Sequence, residues 1–275
     1  MPDIKPKLTL LKLDNNNVEF MLEGVTPAIA NSLRRAIVSE VPTLAIDEVV
    51  FLENNTVLFD EIIAHRLALI PLRFPRKEYK LPSECSCKGK GCSKCQVILR
   101  YDSKKVRKER NAENEKLLVM SGDLESDNEA VKPISDEIPI VVLMPGQELQ
   151  FEAIARLGLG KVHAKWQASN AWYRVLADVR INKNKCNNCK ACVKACPKGV
   201  LVVEDGKVKV KNPDACDLCN ACVEACEKDA IKVSQRDGEF VFTIESTSGL
   251  TAREVLESAI ESLEKRLKEL ERKVK

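Results

Sequence analysis

Two matched runs of four cysteines constrain this chain more than any other feature of its 275 residues. The stretch KCNNCKACVKACPKG, residues 185–199, carries Cys186, Cys189, Cys192 and Cys196 followed by Pro197. Thirty residues on, Cys216, Cys219, Cys222 and Cys226 repeat the spacing. Between 186–203 and 216–233 nine positions are identical: the four cysteines with Ala191, Val193, Ala195, Lys198 and Val203 of the first copy. C-x2-C-x2-C-x3-C is the spacing that holds cuboidal iron–sulfur clusters, in which three thiolates reach three irons of one cube and the fourth ligates the other cluster. That rule predicts crossed sites, with Cys186, Cys189, Cys192 and Cys226 around one cluster and Cys216, Cys219, Cys222 and Cys196 around the other. Each copy is expected to fold as a short cysteine loop, a helical turn and a strand, and the two copies together to hold two [4Fe-4S] clusters, or one beside a [3Fe-4S]. Zinc or idle thiols account poorly for eight cysteines in two copies. Glu227 stands where the first copy has Pro197, which removes a rigid turn beside Cys226 and makes occupancy of that site the less secure of the two.

A third cluster, CSCKGKGCSKC, sets Cys85, Cys87, Cys92 and Cys95 at C-x-C-x4-C-x2-C, with Lys88, Gly89, Lys90 and Gly91 as a flexible basic loop between the halves. Four thiolates so close in sequence suit a closed tetrahedral zinc site. A third iron–sulfur cluster and an empty, redox-labile loop are the alternatives. The three clusters hold all 12 cysteines, a distribution that favours metal over disulfides. The N-terminus has no apolar stretch of signal-peptide length, and no uncharged run is long enough to span a bilayer. The chain is therefore expected in the cytoplasm, where disulfides are rare.

Around these motifs the sequence reads as mixed α and β. KLTLLKLD and NVEFMLEG alternate as strands joined through Asp14-Asn15-Asn16-Asn17. Thr26 fits an N-cap, with Pro27 first in a helix whose Ile29, Ala30, Leu33, Ile37 and Val38 recur at helical spacing before Pro42. Short apolar runs and a helix over 59–68 follow. Residues 102–137 are highly charged with few apolar anchors and read as an exposed excursion. IPIVVLM, QELQFEAIARL and EFVFTIES look like strands. One long helix runs from about Leu250, with Thr251 and Glu254 as a capping box. Along it Leu256, Ile260, Leu263, Leu267, Leu270 and Val274 step by 4, 3, 4, 3 and 4, a heptad seam. The seam either packs the helix on its own domain or is shared with a partner subunit.

No catalytic constellation emerges: the chain has no Walker loop, dinucleotide fingerprint, nucleophile elbow or paired-carboxylate metal motif. Its two histidines, His65 and His163, stand outside any ligand pattern and read as hydrogen-bonded structural residues. Asp47-Glu48 and Asp60-Glu61 are adjacent acidic pairs whose side chains should diverge, as solvated or interface charge. The 44 basic and 41 acidic residues leave a net charge of +3, and aromatics make up 4% of the chain. Neither a phosphate-gripping field nor a base-stacking platform follows from that.

Residues 31–72, NSLRRAIVSEVPTLAIDEVVFLENNTVLFDEIIAHRLALIPL, carry a more specific signal. The pieces Leu33-Arg34-Arg35, Val41-Pro42-Thr43, Ala45-Ile46-Asp47-Glu48-Val49 and Ala64-His65-Arg66-Leu67 with Ile70-Pro71-Leu72 are its most telling parts. They closely resemble the signature of the D-subunit family of archaeal RNA polymerases. That family is related to the third-largest subunit of eukaryotic RNA polymerase II and to the bacterial alpha subunit. GKVHAKWQAS, 160–169, resembles a second block of the family. The resemblance implies an α+β fold with a discontinuous, alpha-subunit-like dimerisation domain over 1–46 and 237–275. It further implies a mostly β second domain over 47–180 carrying the zinc loop 85–95, and a ferredoxin-like 2[4Fe-4S] domain inserted over 181–236.

The function so implied is that of a non-catalytic assembly subunit of DNA-directed RNA polymerase. It would heterodimerise with the small subunit L and carry the second-largest subunit and two small zinc-binding subunits, meeting DNA only through the assembled enzyme and no membrane. Ile29, Leu33 and Ile37 of the first helix, with Leu256, Ile260, Leu263, Leu267 and Leu270, would then form the partner interface. The eukaryotic relative has a similar zinc loop; Cys85–Cys95 has one additional residue between the pairs.

Cysteine spacing alone favours a different class, a dicluster electron carrier or a subunit of an iron–sulfur oxidoreductase. Three features weigh against it. The module is about a fifth of the chain and lies between segments that resemble the polymerase family. Residues 181–236 hold 11 basic and 7 acidic side chains, so with two anionic clusters the module lacks the strong one-sign field that steers a diffusing carrier. The chain also has no flavin, nicotinamide or haem motif for electrons to reach. The clusters are therefore expected to hold shape, with a regulatory role left open.

Overall fold

The structure is a computed structural model that describes residues 6–112 and 114–274. In chain order its helices are α1 (Pro27–Ser39), α2 (Asp60–Ala68), α3 (Ser103–Glu109), α4 (Ala191–Ala195), α5 (Ala221–Glu224) and α6 (Ala252–Val274). Two compact units share the chain. The first takes residues 6–12, 19–31 and 172–243, the second 13–18, 32–171 and 244–274.

A four-stranded sheet dominates the first unit, in the order Lys7–Leu13, Asn17–Glu23, Ile231–Ser246, Ser169–Ile181. Strand Asn17–Glu23 buries every second residue, the period-2 pattern of a sheet with one covered face. Phe20 stacks on Phe242 with ring centroids 5.1 Å apart, and Tyr173 meets Phe240 edge-on at 5.3 Å. The same unit holds the doubled cysteine runs. There a hairpin of Leu201–Glu204 and Lys207–Val210 turns through Asp205 and Gly206, both at positive φ, the chemistry a two-residue turn requires. Leu201, Val208 and Ile231 bury themselves with Cys192 and Cys222 in one small apolar core.

The second unit is built on an antiparallel sheet in the order Pro42–Asn54, Leu149–Leu159, Gln96–Asp102, Glu125–Ser126. The strand from Pro42 runs without a break to Asn54, where the sequence suggested only short apolar runs. Its register slips at Asp47, since Glu48 pairs with Ile154 and Ile46 with Ala155. A bulged residue breaks the alternation of the pleat. Both neighbouring carboxylates therefore reach one guanidinium: Arg156 lies 2.7 Å from Glu48 and 3.7 Å from Asp47, which also pairs with Lys165 at 2.7 Å. The expectation that this acidic pair diverges is corrected by the bulge.

Residues 102–137 are also not an excursion. Asp102 caps α3 by accepting from the Lys104 N–H at 2.9 Å, and Leu117–Met120 pairs with Pro139–Leu143. Val106, Ala112, Leu117, Val119, Leu124 and Val131 are buried, while Leu118 and Ile134 stay exposed. Arg107 is buried too and donates to the carbonyls of Ala112, Glu115 and Met144 at 2.7–2.9 Å. A buried charge satisfied by three carbonyls takes the place of apolar anchors and leaves no hydrophobic pattern to read.

Thr26 caps α1 through its Oγ1, which accepts from the Ile29 N–H at 3.4 Å. Thr251 and Glu254 form the expected capping box on α6: the Glu254 carboxylate accepts from the Thr251 N–H at 2.8 Å and the Thr251 Oγ1 from the Glu254 N–H at 3.3 Å. Helix α6 buries a narrow face of small residues in its first two turns, Ala252, Val255, Ser258 and Ala259. The heptad seam lies beside that face, and most of it is bare. Ile260 is 40% exposed, Leu270 59%, Leu267 66% and Val274 80%, with Leu256 and Leu263 half-buried. On α1, Ile29 is exposed and Leu33 half-buried, but Ile37 is fully buried in the chain's own core. Ile37 is thus a packing residue of this chain, and the expectation that it contributes to a partner surface is corrected. Among the described residues no helix is long and apolar enough to cross a membrane.

Candidate metal centres

The third cysteine cluster folds into a tight knuckle. The Cys85 carbonyl accepts from the Lys88 N–H at 2.9 Å, the Cys87 carbonyl from Lys90 at 3.2 Å, and the Cys92 carbonyl from both Cys95 and Gln96. Lys88, Gly89 and Gly91 all sit at positive φ, and a Cβ on Gly91 would stand 2.5 Å from the Gln96 side chain. A φ of 97° at Gly91 is one that L side chains rarely adopt, so glycine there lets the loop absorb its length between the two cysteine pairs. The Sγ atoms of Cys85 and Cys92 are 3.6 Å apart, of Cys87 and Cys95 3.5 Å, of Cys92 and Cys95 3.8 Å. Four thiolates at about 2.3 Å from one ion would be separated by about 3.8 Å, the edge of that tetrahedron. The spacing therefore fits a single metal ion. Electrostatics point the same way. Burial opposes charge on Cys87, yet hydrogen bonds from Cys85, Cys95 and the Gly91 backbone outweigh it and bring the thiol down to about 6. Burial pushes Cys95 up to about 12. Cys87 and Cys95 are thus pushed in opposite directions, and a divalent ion, which favours thiolate at both, would remove that conflict.

The eight remaining cysteines are arranged more widely. Among the described residues, only Cys85, Cys87, Cys92 and Cys95 form a group of three or more with all ligand atoms within 4.8 Å. Cys186, Cys189, Cys192 and Cys226 instead surround a cavity of about 170 Å³, together with Lys190, Val208 and Ile231. Cys216, Cys219, Cys222 and Cys196 line a second, smaller space with Val179, Leu201 and Val233. The fourth cysteine of each run has crossed to the other run's space. The thiols sense the same partition. Burial raises Cys192, with the neighbouring charges of Cys226 and Cys186 adding to it; burial raises Cys222, with Cys196 and Cys216 adding. Thiols set apart around a cavity fit a group larger than one ion, with each sulfur bonded to a different metal atom.

Backbone geometry repeats with the sequence. Asn188 and Leu218 are left-handed at φ 56° and 62°, as are Lys190 and Asn220 at 67° and 61°, and Gly199 and Asp229 at 62° and 46°. Left-handed residues turn successive N–H groups to one side, the usual way to cradle an anion. The Cys196 Sγ accepts from the Val200 N–H at 3.4 Å, and the Cys226 Sγ from the Ala230 N–H at 3.3 Å. The turn after Cys226 closes with Glu227 as the turn after Cys196 does with Pro197, through N–H bonds from Asp229 and Gly199 to the two cysteine carbonyls. The missing proline leaves that turn hydrogen bond in place, although the preceding helical turn ends one residue earlier in the second copy.

Sequence reasoning missed the polar residues that set these loops. Asn188 Oδ1 accepts from the Val208 N–H at 3.1 Å and Asn187 Oδ1 from the Cys189 N–H at 3.2 Å. At the position matching Asn187, Asp217 accepts from the Cys219 thiol and N–H, which hold its carboxyl below the ordinary range. Identity between the copies marks only the positions they share, so residues that differ between them carry no repeat signal. His163 accepts from the Lys165 N–H at 3.0 Å and packs edge-on against Trp166, a structural role; His65 is exposed on α2.

Residues 19–267 match the family described as RNA polymerase Rpb3/Rpb11 dimerisation domain. The chain is 42% identical over 266 residues to the DNA-directed RNA polymerase subunit Rpo3 of Archaeoglobus fulgidus, covering 96% of each chain. It is 39% identical over 254 residues to the Rpo3 of Methanosphaera stadtmanae, covering 91% of this chain and 92% of that one. With the Rpo3 of Pyrococcus horikoshii it shares 43% over 204 residues, 74% and 72% of the two chains. The chain belongs to the Rpo3 (Rpb3-like) family of archaeal RNA polymerase subunits.

Proposed function

We propose that this chain is the platform on which an archaeal RNA polymerase assembles, and that α1 and α6 are the surfaces that recruit its small partner, subunit L. It is an assembly subunit of the polymerase and takes part in nucleotidyl transfer only within that complex. The observation that carries the proposal is the bare seam on α6. A helix rarely keeps Ile260, Leu267 and Leu270 each at least 40% exposed on one stripe unless something covers it. Leu263, Leu267 and Leu270 also line a groove of about 470 Å³ with Ser32, Arg35 and Ala36 of α1. The second-largest subunit and two small zinc-binding subunits would join the heterodimer, and DNA would be met only through the finished enzyme, in the cytoplasm. In this division 1–46 and 237–275 serve dimerisation, 47–180 forms the second domain, and 181–236 is the ferredoxin-like insert. Co-expression of the chain with its small partner, followed by size-exclusion chromatography, tests the pairing.

The chain contributes no catalysis of its own. Nucleotide addition needs a carboxylate-held magnesium pair; the adjacent pair Asp47 and Glu48 is tied up by Arg156 and Lys165. Purified chain, alone or with its small partner, is expected to show no template-dependent synthesis and no tight duplex binding at physiological salt. Synthesis by the heterodimer would overturn this.

The knuckle at Cys85, Cys87, Cys92 and Cys95 would hold one zinc, which supplies cross-linking and no reaction. The cysteines of the crossed sites would hold two [4Fe-4S] clusters, one replaceable by [3Fe-4S], whose main contribution is to tie four loops around a small core. Chain made without oxygen is expected to carry about eight iron and one zinc, measured by elemental analysis. Zinc-selective chelation should expose the knuckle to protease while the iron stays bound. If Cys95→Ala retained a full zinc equivalent, the knuckle would not be the zinc site.

A further inference from the structure

We propose that the two cysteine sites accept electrons unequally, the site of Cys186, Cys189, Cys192 and Cys226 being reduced first, and that Lys190 and Asp217 set this order. The inference rests on the reading that both sites hold iron–sulfur clusters.

The two sites share backbone and ligands so closely that their differences stand out as charges. At the left-handed position before the helical turn, the first site has Lys190 and the second Asn220. Both residues line their cavities. Asparagine tolerates this backbone region and lysine does not favour it, so a lysine is held at the first site against local preference. At the residue after the first cysteine of each run the sense is the same: Asn187 lines the first cavity, Asp217 the second. Asn187 accepts from the Cys189 N–H at 3.2 Å, and Asp217 places a carboxylate at the equivalent position of the second cavity. Lys198 and Lys228 match across the repeat and line one cavity each, so they cancel. Glu227 lines the first cavity where the second has no acid to match it, and it acts in the opposite sense. Two differences favour the first site and one opposes it.

In a loaded site, reduction would add one electron to a cluster ringed by four thiolates and lower its core charge by one, with no bond formed or broken and no proton moved. The electron comes from a low-potential one-electron donor such as dithionite. Nearby negative charge disfavours that state and nearby positive charge favours it, the lever by which proteins set cluster potentials. Asp217, which lines the second cavity, should make that site the harder to reduce.

The full chain, made without oxygen and checked for iron, is titrated with dithionite while the reduced clusters are followed by electron paramagnetic resonance. Asp217→Asn and Lys190→Asn each install a residue that the other copy already carries at that place, so neither should disturb folding. The unmodified chain is expected to reduce in two waves. Asp217→Asn should move the lower-potential wave up and leave the upper one in place; Lys190→Asn should move the upper wave down. A single wave in the unmodified chain, a variant that moves the opposite wave, or iron-loaded variants that move neither would overturn the ordering. A chain that binds no iron would overturn the cluster reading beneath it.

Discussion

Leu267→Asp is expected to abolish co-purification of the chain with its small partner while the chain itself stays folded. Leu267 is 66% exposed in the isolated chain, so an aspartate there meets water and costs the fold little. In the heterodimer the same position would lie in the middle of the seam. Burying a leucine is worth roughly 1.5–3 kcal/mol, and the variant would lose that and bury an unpaired carboxylate as well. A loss of about 4 kcal/mol weakens binding by about a thousandfold, enough to remove the complex from a column run at micromolar protein. Leu263→Asp should do the same, with some loss of chain stability, because Leu263 is already half-buried. Glu264 and Lys268 supply the control. Their side chains are 61% and 68% exposed and pair at 3.7 Å, an interaction worth at most about 0.5 kcal/mol. Alanine at either should leave assembly intact. Iron and zinc contents should be unchanged in every variant. Were the heterodimer to survive Leu267→Asp, the seam would not be the partner surface.

Much of the frame needed for that experiment was legible in the sequence. Thr26, Pro27, Thr251 and Glu254 signal helix starts because capping is local chemistry, and all four stand where the signal placed them. The heptad seam was legible as a pattern; solvent exposure of Leu267 and Leu270 in the folded chain is a tertiary fact that the pattern alone does not give. Ile37 shows the limit. It shares helical spacing with Ile29 and Leu33, yet it is buried and Ile29 is exposed, since a helix carries an inner and an outer apolar edge that spacing alone does not separate. Asp47 and Arg107 show another. A bulge and a charge satisfied by carbonyls leave no apolar signal, so the strand Pro42–Asn54 and the folded 102–137 segment were understated. The cysteine sets could be grouped from the sequence because ligand spacing is local, and the cavity linings group the cysteines of 186–226 the same way. Asn187 and Asp217 were not legible, because their meaning lies in the comparison of two backbones that only the folded chain superimposes.

The crossing of the cysteine ligands makes a prediction that iron counting alone can settle. Alanine is the substitution of choice, because a serine oxygen can still hold iron. If each site takes its fourth ligand from the other run, Cys196 and Cys216 serve one site, and Cys196 and Cys186 serve two. The cavity linings group them that way. The double variant Cys196→Ala, Cys216→Ala should therefore lose one cluster and keep about four iron per chain, whereas Cys196→Ala with Cys186→Ala should lose both and keep almost none. Uncrossed ligation reverses the two outcomes, so the pair of measurements leaves no middle ground. Stability should follow the count. The module's own core is small, Leu201, Val208 and Ile231 with the buried Cys192 and Cys222 inside a rim of partly buried valines and Ile181, and a core of this size is expected to need metal to hold four loops. Loss of one cluster should leave the hairpin Leu201–Glu204 and Lys207–Val210 partly protected from protease by the other. Loss of both should open residues 181–236 to cleavage while α6 still carries its exposed seam. If the chain without iron resisted protease over 181–236 as well as the loaded chain does, the clusters would not be what holds this module together.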